Sequence, residues 1–348
     1  MTPRPLRGLT RDAEAPMLFE SFFVAAVASF LGIRWFLAAA GYPRVGSGGI
    51  HIAHMLWGGA LMLLALLLLL AFLDRSVTHA AAVIAGLGFG TFIDEIGKFV
   101  TADNNYFFRP AIALIYGVFV VAFLLARVLV GQRRLTPDEA LRNALAHMAG
   151  TPTRGIEPDD RARVAELLRQ ADPADPRTGL ARQYLAAVPS VAEHDSPIEI
   201  IVARVNALYE RVMATPAADP VLVGGMAVYA ILAIVGVVVV VALGRSSESS
   251  DAAAVATVAQ IGSSLVGAAL IGRGIVALST SRIAAYHWFL RGLLVWILVT
   301  QVFVFYTTQL GGLGGLVIDL GAYWSIRYAI GRERLGLQRS SGLLGEGA

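Results

Sequence analysis

Long apolar segments dominate this chain, each about as long as a helix that crosses a lipid bilayer. About 20 residues rising ~1.5 Å each span the ~30 Å of hydrocarbon in a membrane. The segments lie approximately at 18–40, 50–73, 80–100, 107–130, 221–244, 253–277, 284–307 and 313–330. The pattern predicts an all-α, polytopic integral membrane bundle of eight transmembrane helices.

The stretch from Gln132 to Pro220 interrupts this pattern and holds 24 of the 53 charged residues. Thr136-Pro137-Asp138-Glu139 has the sequence of a helix capping box with proline at the first helical position, and Ser196-Pro197-Ile198-Glu199 repeats it. Apolar residues recur at helical spacing between these two motifs. We predict a small cytoplasmic domain of four helices, of which the last three cover 158–171, 175–188 and 197–214.

Composition supports a membrane protein and excludes several kinds of site. Of the 348 residues, 56% are hydrophobic and 15% charged, whereas a soluble domain carries about 25% charge. The chain has no cysteine, which excludes disulfides, zinc–thiolate sites, iron–sulfur clusters and thiol nucleophiles. The net charge is only +3. The sequence has no basic patch interleaved with aromatic residues, so we do not predict binding to nucleic acid.

Arginines predict the orientation, because positive residues collect on the cytoplasmic side of a bilayer. With a cytoplasmic N-terminus, eleven arginines fall on that side and three outside, so both termini are predicted to be cytoplasmic. Arginine and alanine greatly outnumber the single lysine, which is typical of a bacterial plasma membrane protein from a high-GC genome. The predicted domains are a first membrane half (1–131), the cytoplasmic insert (132–220), a second membrane half (221–330) and a flexible cytoplasmic tail (331–348).

The third predicted span contains two adjacent carboxylates, Asp94 and Glu95, and the only lysine, Lys98. Ionisable groups inside a span are costly and usually mark a functional site or a partner. Gly86 and Gly90 share a helical stripe with Asp94, so a neighbouring helix can approach closely there. An internal Asp94–Lys98 ion pair that only makes the charges tolerable is the alternative.

A pair of histidines, His51 and His54, lies on one face at the start of the second span. If spans two and three pack together, both imidazoles and Asp94 lie at similar depth. Two histidines and one carboxylate can hold a divalent metal, with Glu95 as a further ligand or base. The alternative is that the two histidines lie at the membrane interface and form hydrogen bonds only with water and backbone groups.

Further polar residues are predicted at the same outer level of the bundle. Arg34 lies in span one, Arg109 begins span four, and Asp319 lies in the outer half of span eight. Asp103 belongs to the outer turn before span four, where it acts either as a helix cap or as part of a ligand loop. Together with the third span, these residues predict a polar site open to the outside.

Three classes of function agree with these features. The first is a transporter or channel for an ion or small polar solute, with Asp94, Glu95 and Lys98 along its route. The second is an intramembrane metal-dependent enzyme acting on lipid, with Glu95 as general acid or base. The third is a sensor or scaffold that signals through the cytoplasmic insert to a cytoplasmic protein partner. The bilayer itself and a further copy of this chain complete the expected partners.

Overall fold

The described part of the chain is almost entirely helical and contains no strand. The computed structural model describes residues 9–40, 54–100, 110–131, 135–149, 155–191, 217–242 and 251–343, together with 204, 207–209, 211, 213 and 215; at 38, 98, 99, 240, 251 and 334–343 it describes the backbone alone. The helices in the first part of the chain are α1 (Ala15–Ala39), α2 (His54–Ala71), α3 (Arg75–Ile93), α4 (Ile96–Val100), α5 (Ala111–Val130), α6 (Pro137–Met148), α7 (Pro158–Gln170) and α8 (Pro176–Ala187). They are followed by α9 (Ala218–Ala242), α10 (Asp251–Ala277), α11 (Arg282–Val295), a π-helical segment (Trp296–Thr300), α12 (Gln301–Thr308), a 3-10 turn (Gln309–Gly312) and α13 (Leu313–Leu343).

Seven helical stretches among the described residues are long and apolar enough to cross a membrane. Their outward faces are apolar too, as in the leucine-rich α2, where Leu56, Leu66, Leu67 and Leu70 are all more than half exposed. Exposed apolar side chains on this scale are typical of helices that face lipid. The prediction of an all-α fold is confirmed for the described residues, and the seven apolar helices fit a multi-pass membrane protein. The number of eight spans stays a prediction.

The last of the seven stretches, Arg282–Glu333, folds back on itself. A straight helix of this length would extend about 78 Å, yet Arg282 Nη1 lies 3.2 Å from Glu333 Oε1. The reversal falls at the 3-10 turn, where Gln309 has a positive φ of 52°. The stretch is therefore a hairpin of two helical arms.

The helices α6, α7 and α8 form a small core of their own. Thr136 and Glu139 make the predicted capping box at the start of α6, and α7 and α8 match the ranges predicted for them within two residues. The core consists of aliphatic side chains such as Leu141, Val164 and Leu168. The predicted fourth helix, at 197–214, falls mostly outside the described residues.

The chain divides into two compact units. The first unit comprises Met1–Tyr106 and Val121–Asp195, and so combines the first three apolar helices with α6–α8. The second unit comprises Phe107–Val120 and Ser196–Ala348. The predicted domain boundaries at 131, 220 and 330 stay predictions.

Candidate functional site

In the first unit, glycines let α3 pack directly against two neighbours. A Cβ atom at Gly86 would lie 2.2 Å from the carbonyl oxygen of Phe22, and one at Gly90 would lie 2.1 Å from that of Ala26, both on α1. On another side of α3, a Cβ at Gly88 would lie 2.7 Å from the carbonyl oxygen of Gly58 on α2. Only glycine permits this backbone contact, which confirms the predicted close approach at Gly86 and Gly90.

The polar site begins where α3 ends. The helix stops at Ile93, and α4 resumes at Ile96, so Asp94 and Glu95 form the break between them. Both carboxyl side chains are completely buried. Burying two adjacent acids is expensive unless cations and hydrogen-bond donors compensate them, and the surrounding residues provide both.

Arg34 of α1 is the cationic partner of Asp94. Its Nε donates to Asp94 Oδ1, and its Nη2 donates to the Asp94 carbonyl oxygen at 3.1 Å. The guanidinium therefore binds the side chain and the backbone at the helix break, which fixes the end of α3 against α1. The side chain of Arg34 is only 12% exposed, so this ion pair is largely desolvated.

His54, the first residue of α2, lies between the two carboxylates. Its Nε2 is 3.0 Å from Asp94 Oδ2, and its Nδ1 is 3.5 Å from Glu95 Oε1. The other Glu95 oxygen accepts a 3.1 Å hydrogen bond from the backbone N–H of Met55. An anionic group is favoured at a helix N-terminus, because the N–H groups there lack partners within the helix. His54 is one-quarter exposed and is the most accessible member of the site.

The structure brings four of the predicted site residues together: Arg34, His54, Asp94 and Glu95. Asp319 is buried in the second unit. His51, Asp103 and Arg109 lie outside the described residues, as does the side chain of Lys98, so the Asp94–Lys98 pair stays a prediction.

No group of three His, Cys, Asp or Glu side chains in the described part of the chain is arranged to hold a metal ion. His54 instead contacts the two carboxylates through its two ring nitrogens. The metal hypothesis also requires His51, which the structure does not describe, and it stays a prediction.

A second polar cluster in the first unit was not predicted from the sequence. Glu14, just before α1, is almost fully buried and pairs with Arg75 of α3 and Arg163 of α7, at 2.7 Å for the latter. His79 Nε2 of α3 and His147 Nε2 of α6 lie 3.3 and 3.5 Å from its carboxylate oxygens. Glu14 also lines a cavity of about 380 Å³. The cluster joins two apolar helices to two helices of the insert.

The neighbouring pair Arg11–Glu139 gives a prediction about pH. Two parallel hydrogen bonds of 2.9 and 2.8 Å from the Arg11 guanidinium lower the pKa of Glu139 from 4.5 to about 2. Because the folded-state pKa is depressed, this pair stabilises the fold fully above about pH 4.5 and loses its effect as the pH falls towards 2. Glu139→Gln should therefore lower the melting temperature at neutral pH and have progressively less effect in acid.

Thermal unfolding across this pH range, in detergent, checks the prediction. Glu157→Gln is the matched control, because Glu157 is the N-cap residue just before α7 and its side chain makes no capping hydrogen bond. A melting-temperature difference between wild type and Glu139→Gln that stays constant down to the lowest pH would contradict the role of the ion pair.

Comparisons with protein-family models, with curated proteins and with solved structures gave no match to this chain.

Proposed function

We propose that this protein is a membrane transporter or channel for an ion or small polar solute, with the Asp94–Glu95 pair as its binding point. The observation that carries the proposal is the interruption of an apolar helix at two completely buried carboxylates. Discontinuous helices with ion-binding groups at the break are a recurring device of membrane transporters. Carboxylates inside a span commonly mark ion or proton routes.

The partners of the two carboxylates support exchange with a solute. Asp94 and Glu95 are bridged by an imidazole, which can donate or accept a proton at either nitrogen. Movement of His54 would release one oxygen from each acid for a cation or a hydrogen-bond donor. Because His54 is the most exposed member, we propose that solute enters from its side.

The topology belongs to the same proposal. We propose eight crossings of a bacterial plasma membrane, with both termini and the insert in the cytoplasm and the Asp94 site near the outer surface. The hairpin formed by Arg282–Glu333 supports two crossings in that stretch, and the distribution of arginines supports the orientation. Reporter fusions in 140–210 should indicate cytoplasm; an external location there would contradict this orientation.

The Glu14 cluster favours a second candidate function, in which the insert senses or regulates the membrane helices. Glu14 immediately precedes α1 and Arg75 begins α3, while Arg34 and Asp94 lie near the opposite ends of the same helices. About 20 residues, or about 30 Å, separate the two polar sites along each helix. A change at α6 or α7 can therefore reach the Asp94 site through rigid helices.

Flux measurements on reconstituted protein test the proposed function. Liposomes containing wild type should pass protons, sodium, potassium or a small amine faster than empty liposomes when a gradient is imposed. Glu95→Gln should reduce this flux at least tenfold, because the amide retains an acceptor for the Met55 N–H but lacks the negative charge. Unchanged melting temperature and gel-filtration behaviour would exclude misfolding as the cause.

Asp159→Asn is the matched control, because it removes a carboxylate that is exposed on α7. It should transport at the wild-type rate. The proposal fails if wild type moves none of these solutes, or if Glu95→Gln moves them as fast as wild type does.

A further inference from the structure

The second unit contains a buried acid in an environment unlike that of Asp94. Asp319 lies on α13, within the apolar stretch Arg282–Glu333, and is only 3% exposed. Among the described residues, its Oδ1 atom has no hydrogen-bond partner. Tyr229 of α9 interacts with this carboxyl group.

An irregular helix lies beside these groups. The segment Trp296–Thr300 is π-helical, a geometry that often occurs at functional sites. Tyr116, which interacts electrostatically with Asp319, donates from its hydroxyl to the Ile297 carbonyl oxygen. The Tyr229 ring packs edge-on against Trp296, with centroids 4.7 Å apart. Thr300 Oγ1 is also buried without a partner among the described residues.

The cations on the helices packed against α13 are engaged elsewhere. Arg282 of α11 pairs with Asp219 and Glu333, and the Arg291 guanidinium stacks over Trp288. Arg332, on α13 itself, pairs with Asp219. Within the described residues, Asp319 forms no ion pair or hydrogen bond with these arginines or with His287 of α11. The titratable groups that interact with it are Tyr116 and Tyr229.

Asp219 provides a comparison within the same unit. It is also buried, but Arg332 and Arg282 both contact its carboxylate oxygens. Two guanidinium groups compensate its negative charge. Asp319 is 3% exposed and forms no ion pair among the described residues, so a bare carboxylate in that position would carry a large desolvation cost.

We infer that Asp319 is a proton-binding site. A proton taken from the aqueous phase binds the carboxylate and gives a neutral carboxylic acid, which removes the desolvation cost. Tyr229 and Tyr116 orient the site, and the π-helical segment supplies backbone irregularity beside it. This inference concerns the second unit alone and holds whether or not the Asp94 site transports a solute.

A hydrophobic carbodiimide tests the inference directly. Dicyclohexylcarbodiimide adds across a protonated carboxylic acid in a membrane; the acyl group ends on nitrogen as a stable N-acylurea, with no leaving group. The full-length protein in liposomes is treated with it over a series of pH values, digested and analysed by mass spectrometry. Asp319 should be modified, increasingly so as the pH falls, while Asp219 remains unmodified, and Asp319→Asn should lose the adduct.

Three results of the labelling would overturn the inference. The first is the absence of an adduct at Asp319 in acid, and the second is equal modification of Asp219. The third is protection of Asp319 by sodium or potassium at constant pH, because protection would show that the site binds a metal cation. None of these measurements depends on flux, so a failure of this inference can be distinguished from a failure of the transport proposal.

Stability of two isosteric variants gives an independent readout. Asp319→Asn should leave the melting temperature unchanged, because an amide resembles the neutral acid. Asp219→Asn should lower it by several degrees, because Arg332 loses its carboxylate partner and Arg282 loses one of its two. An equal loss in both variants would show that Asp319 is an ionised, compensated carboxylate and would also overturn the inference.

Discussion

Replacing Arg34 by methionine is expected to destabilise the protein by about 3–5 kcal/mol, the usual cost of removing one partner from a buried ion pair. Asp94 is completely buried and would then keep a charge without its guanidinium. His54 still contacts Asp94 Oδ2 at 3.0 Å, which places the expected loss near the lower end of that range. Asp94→Asn alone should also destabilise, because it leaves Arg34 without its counter-ion.

The double variant Arg34→Met with Asp94→Asn should recover more than half of the larger single loss, since no stranded charge remains. Flux through the double variant should stay abolished, because the charged binding point is gone. Thermal unfolding and flux of the three variants therefore separate the structural and functional contributions of this pair. The exposed pair Arg142–Asp138 on α6 is the control, where both single variants should cost only about 0.3–0.5 kcal/mol. Two fully stable single variants would contradict a desolvated Arg34–Asp94 pair.

The sequence predicts much of this site because its signals are local. Charged residues stand out in an apolar run, and the spacing of Gly86, Gly90 and Asp94 places them on one helical stripe. The structure agrees: the same face of α3 contacts Phe22 and Ala26 and then meets Arg34, all on α1. A one-dimensional pattern is sufficient here because a helix converts sequence spacing directly into direction.

Two features could not be predicted from spacing. Neither residue of the helix break at Asp94–Glu95 is a proline or a glycine. The break depends on two hydrogen bonds: Arg34 donates to the Asp94 carbonyl oxygen, and the Met55 N–H donates to the Glu95 carboxylate. The Glu14 cluster joins residues that are about 60 to 150 positions apart in the chain. In the sequence each of its members resembles an ordinary charged or polar residue of a helix, because only tertiary packing brings them together.

Gly90→Ala is expected to be among the most disruptive single-methyl changes in the first unit. The added Cβ would lie 2.1 Å from the Ala26 carbonyl oxygen and 2.9 Å from its carbonyl carbon. Both are backbone atoms, so α1 and α3 must move apart. Overpacking of this kind costs about 1–3 kcal/mol and sometimes more.

The functional effect of Gly90→Ala should exceed its effect on stability. Gly90 lies one helical turn before Asp94, so separation of the helices there moves Arg34 away from the carboxylate that it binds. Gly32→Ala is the matched control on α1, where the added methyl group would meet no atom of another helix within 4 Å and alanine favours the helix by about 0.5–1 kcal/mol. We expect Gly32→Ala to melt at or above the wild-type temperature with normal flux, and Gly90→Ala to melt several degrees lower with little flux. Equal melting temperatures and equal flux in the two variants would mean that the close contact between α1 and α3 does not hold the Asp94 site together.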